Sequence, residues 1–205
     1  MKQDQSIHEP KQKRSALTRE KIVDTSRELF CKKGYYQVST NEIARAANIS
    51  IGNLYFYFPN KETIFLEILD RYHQSFLKIH EGFLRDAENS SKDLKHFLRG
   101  LMEMIIKNHE NSRELNREIQ ILSLSDPAVA ALLEKQQEQT EVTVFRYFEK
   151  YRDQLQVQDL EAAAAITFSL INSVVDQIAF SKNKINRKRL LTETVNAVEI
   201  YLLGK

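Results

Sequence analysis

Apolar positions recur along most of this chain at the three- and four-residue intervals of a helix, interrupted only at a few punctuation points. In LTREKIVDTSRELFCKKG, Ile22, Val23, Leu29 and Phe30 share a face with the small Ser26 between them. Ser15 or Thr18 offers the cap and Gly34 the stop. Ser39-Thr40-Asn41-Glu42 matches a capping box, and Ile43, Ala44 and Ala47 supply the buried face of a second, very short helix. Asn48 follows where a tight turn wants left-handed backbone, Ser50 caps a third helix, and Asn60 after Pro59 opens a fourth. From there Ile64, Phe65, Ile68, Leu69, Tyr72, Phe76, Ile79 and Phe83 keep one face apolar for about six turns. Gly82 and the NSS at 89–91 mark its fraying end. Further helices are predicted near 92–109, 113–124, 127–152, 159–181 and 187–203, with Asp126-Pro127, Asp159 and Asn186 as their starts. The pattern predicts an all-α fold of about nine helices. It divides into a flexible basic arm over 1–16, a three-helix domain over 17–63 and a larger helical domain over 64–205.

The third helix carries LYFYF, five large apolar or aromatic residues in a row. As a strand it would lack a pairing partner among helices. As a helix advancing about 100° per residue from Leu54, it puts Phe58 near 40° and Ile51 near 60°, while Gly52, Asn53, Phe56 and Tyr57 fall between about 160° and 300°. Leu54 and Phe58 then anchor the core, Tyr55 sits on the border, and the second group looks outward. Two short helices joined by a tight turn after a supporting helix make a helix-turn-helix, whose second helix enters a DNA major groove. Asn can pair with adenine, an aromatic edge can pack on a thymine methyl, a Tyr hydroxyl can donate to phosphate, and Gly52 would allow close backbone approach.

Composition refines this picture. Five Gly and three Pro in 205 residues favour helices throughout, and 42% hydrophobic with 28% charged residues is globular composition. No apolar run approaches the roughly 20 residues of a membrane helix, the N-terminus lacks a secretory segment, and the single Cys31 forms no internal disulfide. A cytoplasmic location is expected. The net charge of +2 is unevenly spread: residues 1–64 hold 11 Lys/Arg against 7 Asp/Glu, and the remainder 19 against 21. The basic end is the one with the helix-turn-helix. Its KQKR at 11–14 would track phosphates or a minor groove, or be a solvated tail.

STNEIARAANISIGNLYFYFPNKE resembles the DNA-binding motif of the TetR family of bacterial transcriptional regulators, with dense similarity over about residues 17–70. Thr40, Ile43, Ala44, Ser50, Gly52, Leu54, Tyr55, Phe58, Lys61 and Glu62 occupy matching positions. Asn48 replaces the usual turn Gly, Ile51 stands where a Lys often contacts phosphate, and Asn53 replaces Thr. The resemblance implies a DNA-facing set of Ser39, Thr40, Ser50, Ile51, Gly52, Asn53, Tyr55, Phe56, Tyr57 and Lys61. In it Thr40 would cap the second helix against a phosphate, Tyr55 and Tyr57 would bind the DNA backbone, Asn53 and Phe56 would read bases, and Lys61 would add a phosphate contact. Ser39 and Thr40 compete for the cap.

Beyond residue 70 the resemblance is architectural. It implies a small-molecule cavity among helices 4 to 7 and a homodimer through the last two helices. Leu160 to Phe180 is apolar around most of its circumference, and Leu191, Val195, Val198 and Leu202 stripe the final helix, either as a dimer seam or as core. Tyr72, Phe76, Phe97, Met102, Met104, Ile105, Leu122, Phe145 and Phe148, with His109, Asn116 and Gln120 to orient a ligand, are candidate walls for an apolar or amphipathic effector, or ordinary core. The five His are scattered; the pair His73 and His80 has no third ligand, and no metal or other cofactor is expected. Walker, dinucleotide and nucleophile-elbow motifs are absent, which argues against an enzyme. The expected function is a ligand-responsive regulator, most simply a repressor released from a palindromic operator. The alternative is a helical protein-interaction module that keeps the fold without reading DNA.

Overall fold

The computed structural model describes residues 11–89 and 94–204. Among them are nine α-helices and no strand: α1 Lys11–Lys33, α2 Thr40–Ala46, α3 Ile51–Tyr57, α4 Lys61–Asn89, α5 Leu94–Glu110, α6 Arg113–Ser123, α7 Pro127–Tyr151, α8 Leu160–Phe180 and α9 Arg187–Leu203. Short 3₁₀ turns follow α1, at Tyr35–Gln37, and α7, at Arg152–Gln154. The predicted starts hold where a local cap sets them. Asn60 accepts from the Thr63 amide, Asp126 from Ala128 and Val129, Asp159 from Ala162 and Asn186 from Lys188. The start of α1 differs: Ser15 and Thr18 lie inside the helix, and Thr18 Oγ1 donates to the Arg14 carbonyl four residues back. Residues 11–16, expected to belong to a flexible arm, therefore continue α1. Lys, Gln, Arg and Ala are good helix formers, and no Gly or Pro interrupts them. Residues 1–10 of that arm, and most of the NSS stretch, lie outside the described residues.

Two compact units divide between Asp70 and Arg71, inside α4. In the first, Ile22, Val23 and Phe30 of α1 pack with Ile43, Leu54, Ile64 and Phe65 in a core that excludes solvent. Phe30, Tyr35 and Phe65 meet ring to ring at centroid distances of 5.2 to 6.0 Å, so the first two turns of α4 complete this core. Ser26 fits among them because its hydroxyl is satisfied locally by the Ile22 carbonyl at 2.7 Å.

In the second unit α8 is the central helix, packed against α5, α7 and α9, while α5 also meets α6 and α9. Leu191, Val195, Val198 and Leu202 are at most 3% exposed and join this core. The α9 stripe is thus consumed within one chain, and a dimer seam requires other residues. The helices leave Ile166 and Leu170 of α8 and Ile200 and Tyr201 of α9 exposed. By length and composition α8 is apolar enough to cross a membrane, contrary to the expectation of no such run. One face of it is spent on the core, through Ala163, Ala164, Ile171, Val175, Ile178 and Ala179.

Histidines join α4 to α7 in register. His73 Nε2 lies 3.0 Å from Thr140 Oγ1, and one heptad on, the Tyr147 hydroxyl donates to the His80 carbonyl at 2.6 Å. Both histidines are thus engaged with α7. Burial pushes His80 down to about 4, with help from nearby His73, and burial pushes His109 down to about 4. Both rings are then neutral in the fold while free histidine titrates near 6.5, so the unfolded chain binds more protons between those values. Stability is full above pH 6.5 and falls as pH drops through the window, by on the order of 2 kcal/mol per ring at pH 4.5. Denaturant unfolding followed by circular dichroism from pH 7.5 to 4.5 measures this; a flat profile would mean that the rings are not held neutral.

Candidate nucleic-acid interface

The short helix α3 is held by its ends and one face. Asn48 takes the left-handed conformation, φ 51°, and Ser50 Oγ accepts from the Asn53 amide at 3.1 Å. Leu54 is fully buried and Phe58, just past the helix, is 3% exposed. Opposite them stand Gly52, Asn53 and Phe56, the last 78% exposed, while Ile51 at 36% and Tyr55 at 50% exposed flank the anchored face. A phenylalanine that exposed beside a packed core is the least economical residue in the unit if nothing covers it. No atom lies within 4 Å of a Cβ built on Gly52, so its backbone face is open.

At α2 the competition for the cap resolves in favour of Ser39, whose Oγ accepts from the Glu42 amide at 3.2 Å. Thr40 Oγ1 instead shares a hydrogen bond with the Tyr55 hydroxyl at 3.0 Å, tying α2 to α3. Glu42 pairs with Lys33, and this pairing holds its carboxyl below the usual range. Neighbouring Tyr36, 63% exposed in the turn after α1, was not anticipated. Its signal was the Gly34-Tyr-Tyr step, where Tyr35 is buried and its neighbour must point away.

Two expected contacts look elsewhere. Tyr57 is half-buried, and its hydroxyl donates to Ser15 Oγ of α1 at 3.2 Å. Its phase on the helix is about 60° from Leu54, no farther than Ile51, so a neighbouring helix on that side captures it. Lys61 Nζ donates to the Tyr35 and Val38 carbonyls at 2.8 and 2.9 Å and lies 4.2 Å from the Tyr35 ring centroid. Burial lowers its pKa. Two of its three N–H groups therefore close the turn between α1 and α2.

The candidate effector residues separate in the second unit. Tyr72, Phe76 and His109 interlock, with rings 4.9 and 4.7 Å apart and the Tyr72 hydroxyl 3.2 Å from His109 Nδ1; Asn116 donates to the same hydroxyl. His109 Nε2 is 3.9 Å from Asp176 Oδ1, and since the ring is neutral at pH 7 this is no ion pair. Met102 is fully buried, Gln120 is exposed on α6, and Phe145 borders an open groove between α7 and α8. Phe97, Ile105 and Phe148 of the set line a small cavity of about 60 Å³ bordered by α4, α5, α7, α8 and α9. Helical phase identified buried faces, while the choice of cavity depends on which side chains meet.

Residues 22–68 match the profile of bacterial regulatory proteins of the tetR family, and residues 93–202 that of the tetracyclin repressor-like C-terminal domain. The chain belongs to the TetR family. Among TetR-family relatives, the transcriptional regulator QacR of Staphylococcus aureus is 46% identical over 52 residues, covering 25% of this chain and 28% of that protein. The chain spans between 20% and 57% of the length of the curated relatives it matches. A solved chain assigned to the TetR regulators of Mesorhizobium loti superposes with a TM-score of 0.72 at 22% identity, covering 92% of this chain and 96% of its own. A regulator of Saccharomonospora viridis, solved in complex with choline, gives the same TM-score at 18% identity, covering 93% and 100%. These structures carry the TetR fold, and the first unit holds its helix-turn-helix.

Replacing Lys61 by Met should lower stability by about 1–3 kcal/mol, because two part-buried carbonyls lose their donor. Chemical denaturation reads this directly. Unchanged stability with weakened DNA binding would instead assign the ammonium to phosphate.

Proposed function

We propose that the chain is a cytoplasmic, homodimeric repressor that binds a palindromic operator through α3 and leaves it when a small apolar or amphipathic molecule occupies the second unit. The observation that supports this best is the combination of the anchored Leu54 and Phe58 with exposed Asn53 and Phe56 on the other side of the same seven-residue helix. Asn53 and Phe56 read bases, Thr40 and Tyr55 sit at the phosphate, and Gly52 lets the backbone come close. Tyr36 is added to the backbone-contacting set on exposure. Tyr57 and Lys61 position these groups from within.

A single short helix reads few base pairs, so a two-fold pair is needed for a specific site. Exposed Ile166, Leu170, Ile200 and Tyr201 supply a surface for a second copy, the same patch of each chain meeting across a two-fold axis. The effector acts only through unequal affinity for operator-bound and free conformers. Choline bound in the Saccharomonospora relative supports a small-molecule effector here.

Duplex affinity should fall at least tenfold between 50 and 200 mM salt, as phosphate contacts release counterions. Phe56→Ala should leave the thermal midpoint almost unchanged, since the ring is exposed, yet weaken duplex binding about tenfold, and Asn53→Ala should broaden the range of duplexes bound. Fluorescence anisotropy with labelled duplexes checks both. Absence of duplex binding at low salt would favour a protein-interaction role instead.

A further inference from the structure

Between Asp176 and Glu193 the chain carries Lys182, Lys184, Arg187, Lys188 and Arg189 and no acidic residue. Without these five, residues 65–205 hold 14 Lys/Arg against 21 Asp/Glu, so the segment is a basic island in an otherwise acidic stretch. All five residues are exposed. Arg187 pairs with Glu110 at 2.8 Å, whereas no ion pair or side-chain hydrogen bond engages Lys182, Lys184, Lys188 or Arg189 among the described residues.

Helix stability does not account for this arrangement. Arg187, Lys188 and Arg189 open α9, where free N–H groups already create positive potential and an acidic residue would be the stabilising choice; its first turn holds none. Like charges in so short a segment also repel one another. The backbone beneath them is nonetheless fastened. Asn186 accepts from the Lys188 amide, Asn183 Nδ2 donates to the Gln177 carbonyl at 2.7 Å, and Arg113 donates to the Ala179 carbonyl. Four unanswered cations are thus displayed from a fixed turn, an arrangement that a polyanion would relieve.

The place of the turn within the second unit narrows the partner. Phe180, the last residue of α8, packs edge-on against His109 at 5.2 Å, and His109 meets Tyr72. Tyr72 lies just past the boundary between Asp70 and Arg71, so the basic turn belongs to the end of the second unit that α4 enters. A basic segment that lies on a membrane needs an apolar face as well, and here only Ile185 stands exposed among the charges.

We propose that Lys182, Lys184, Lys188 and Arg189 form a second, sequence-independent contact to the phosphate backbone of the duplex that α3 holds. The identity of the partner rests on the regulatory reading above. Such a contact sets affinity and salt dependence and carries no base preference.

Fluorescence anisotropy on the full chain tests it, with a labelled mixed-sequence duplex of about 40 base pairs and salt from about 50 to about 200 mM. Each phosphate contact contributes about 0.9 to the slope of log affinity against log salt. Lys182→Gln/Lys184→Gln/Lys188→Gln should flatten that slope by at least about 2 and weaken binding at least tenfold at the low-salt end. Arg146→Gln/Lys150→Gln/Arg152→Gln, which removes the same charge from α7 and the turn after it, should leave the slope nearly unchanged. The thermal midpoint of the first variant should hold or rise, because Lys188 leaves the unfavourable end of α9. An unchanged slope, equal flattening in both variants, or a lowered midpoint would overturn the proposal. Loss of binding to vesicles of anionic lipid with the duplex slope intact would also overturn it and assign the turn to a membrane surface. Wild-type chain that binds no duplex at low salt would sink the regulatory reading together with this one; duplex binding whose slope survives the first variant would sink this one alone.

Discussion

A seven-residue helix is too short to persist by itself, and the DNA-facing surface depends on how α3 is fastened. Burial of Leu54 and Phe58 supplies the attraction, and the Ser50 cap and the left-handed Asn48 fix where the helix starts. With its start and its buried face set, the phase of every other side chain is determined. Asn53 and Phe56 face outward because Leu54 faces inward. A polar exchange at Leu54 would therefore disturb recognition without touching a residue that reaches DNA.

A second tier of contacts holds the elements around α3. Thr40 links α2 to α3 through Tyr55, Tyr57 links α3 to α1 through Ser15, and Lys61 closes the turn between α1 and α2. Arg19 of α1 forks onto Glu67 of α4 while its guanidinium lies 5.1 Å from the Phe58 ring. Polar side chains are thus spent internally so that a few aromatic and amide groups remain free for a partner. In the second unit the same economy applies with opposite sign. Aromatic and aliphatic groups pack, and the two histidines are kept neutral.

Much of this was legible in the sequence because it is local. Caps at Ser39, Ser50, Asn60, Asp126, Asp159 and Asn186 involve residues within three positions of one another, and Asn48 follows from backbone sterics alone. Periodicity also separated Leu54 from Phe56. Tertiary choice was not legible. Tyr57 and Ile51 are equally offset from Leu54 on opposite sides, and it is the position of Ser15 on α1 that claims the Tyr57 side. Lys61 carries a typical phosphate-binding side chain, yet two carbonyls from an earlier turn claim it. The stripe on α9 has the same pattern whether it meets its own chain or another, and the core claimed it. Tyr72, Phe76 and His109 were recognisable as a group, but sequence spacing does not reveal that they satisfy one another.

The central claim is that two copies of α3, each held by Leu54 and Phe58, read a symmetric operator. Selection of bound duplexes from a random pool by the full chain, at physiological salt, tests it most directly. The expected result is a two-fold symmetric sequence whose half-sites lie about 34–36 Å apart, or a multiple of that spacing, and whose enrichment is lost for Phe56→Ala. An enriched sequence without symmetry, or no enrichment at all, would contradict it.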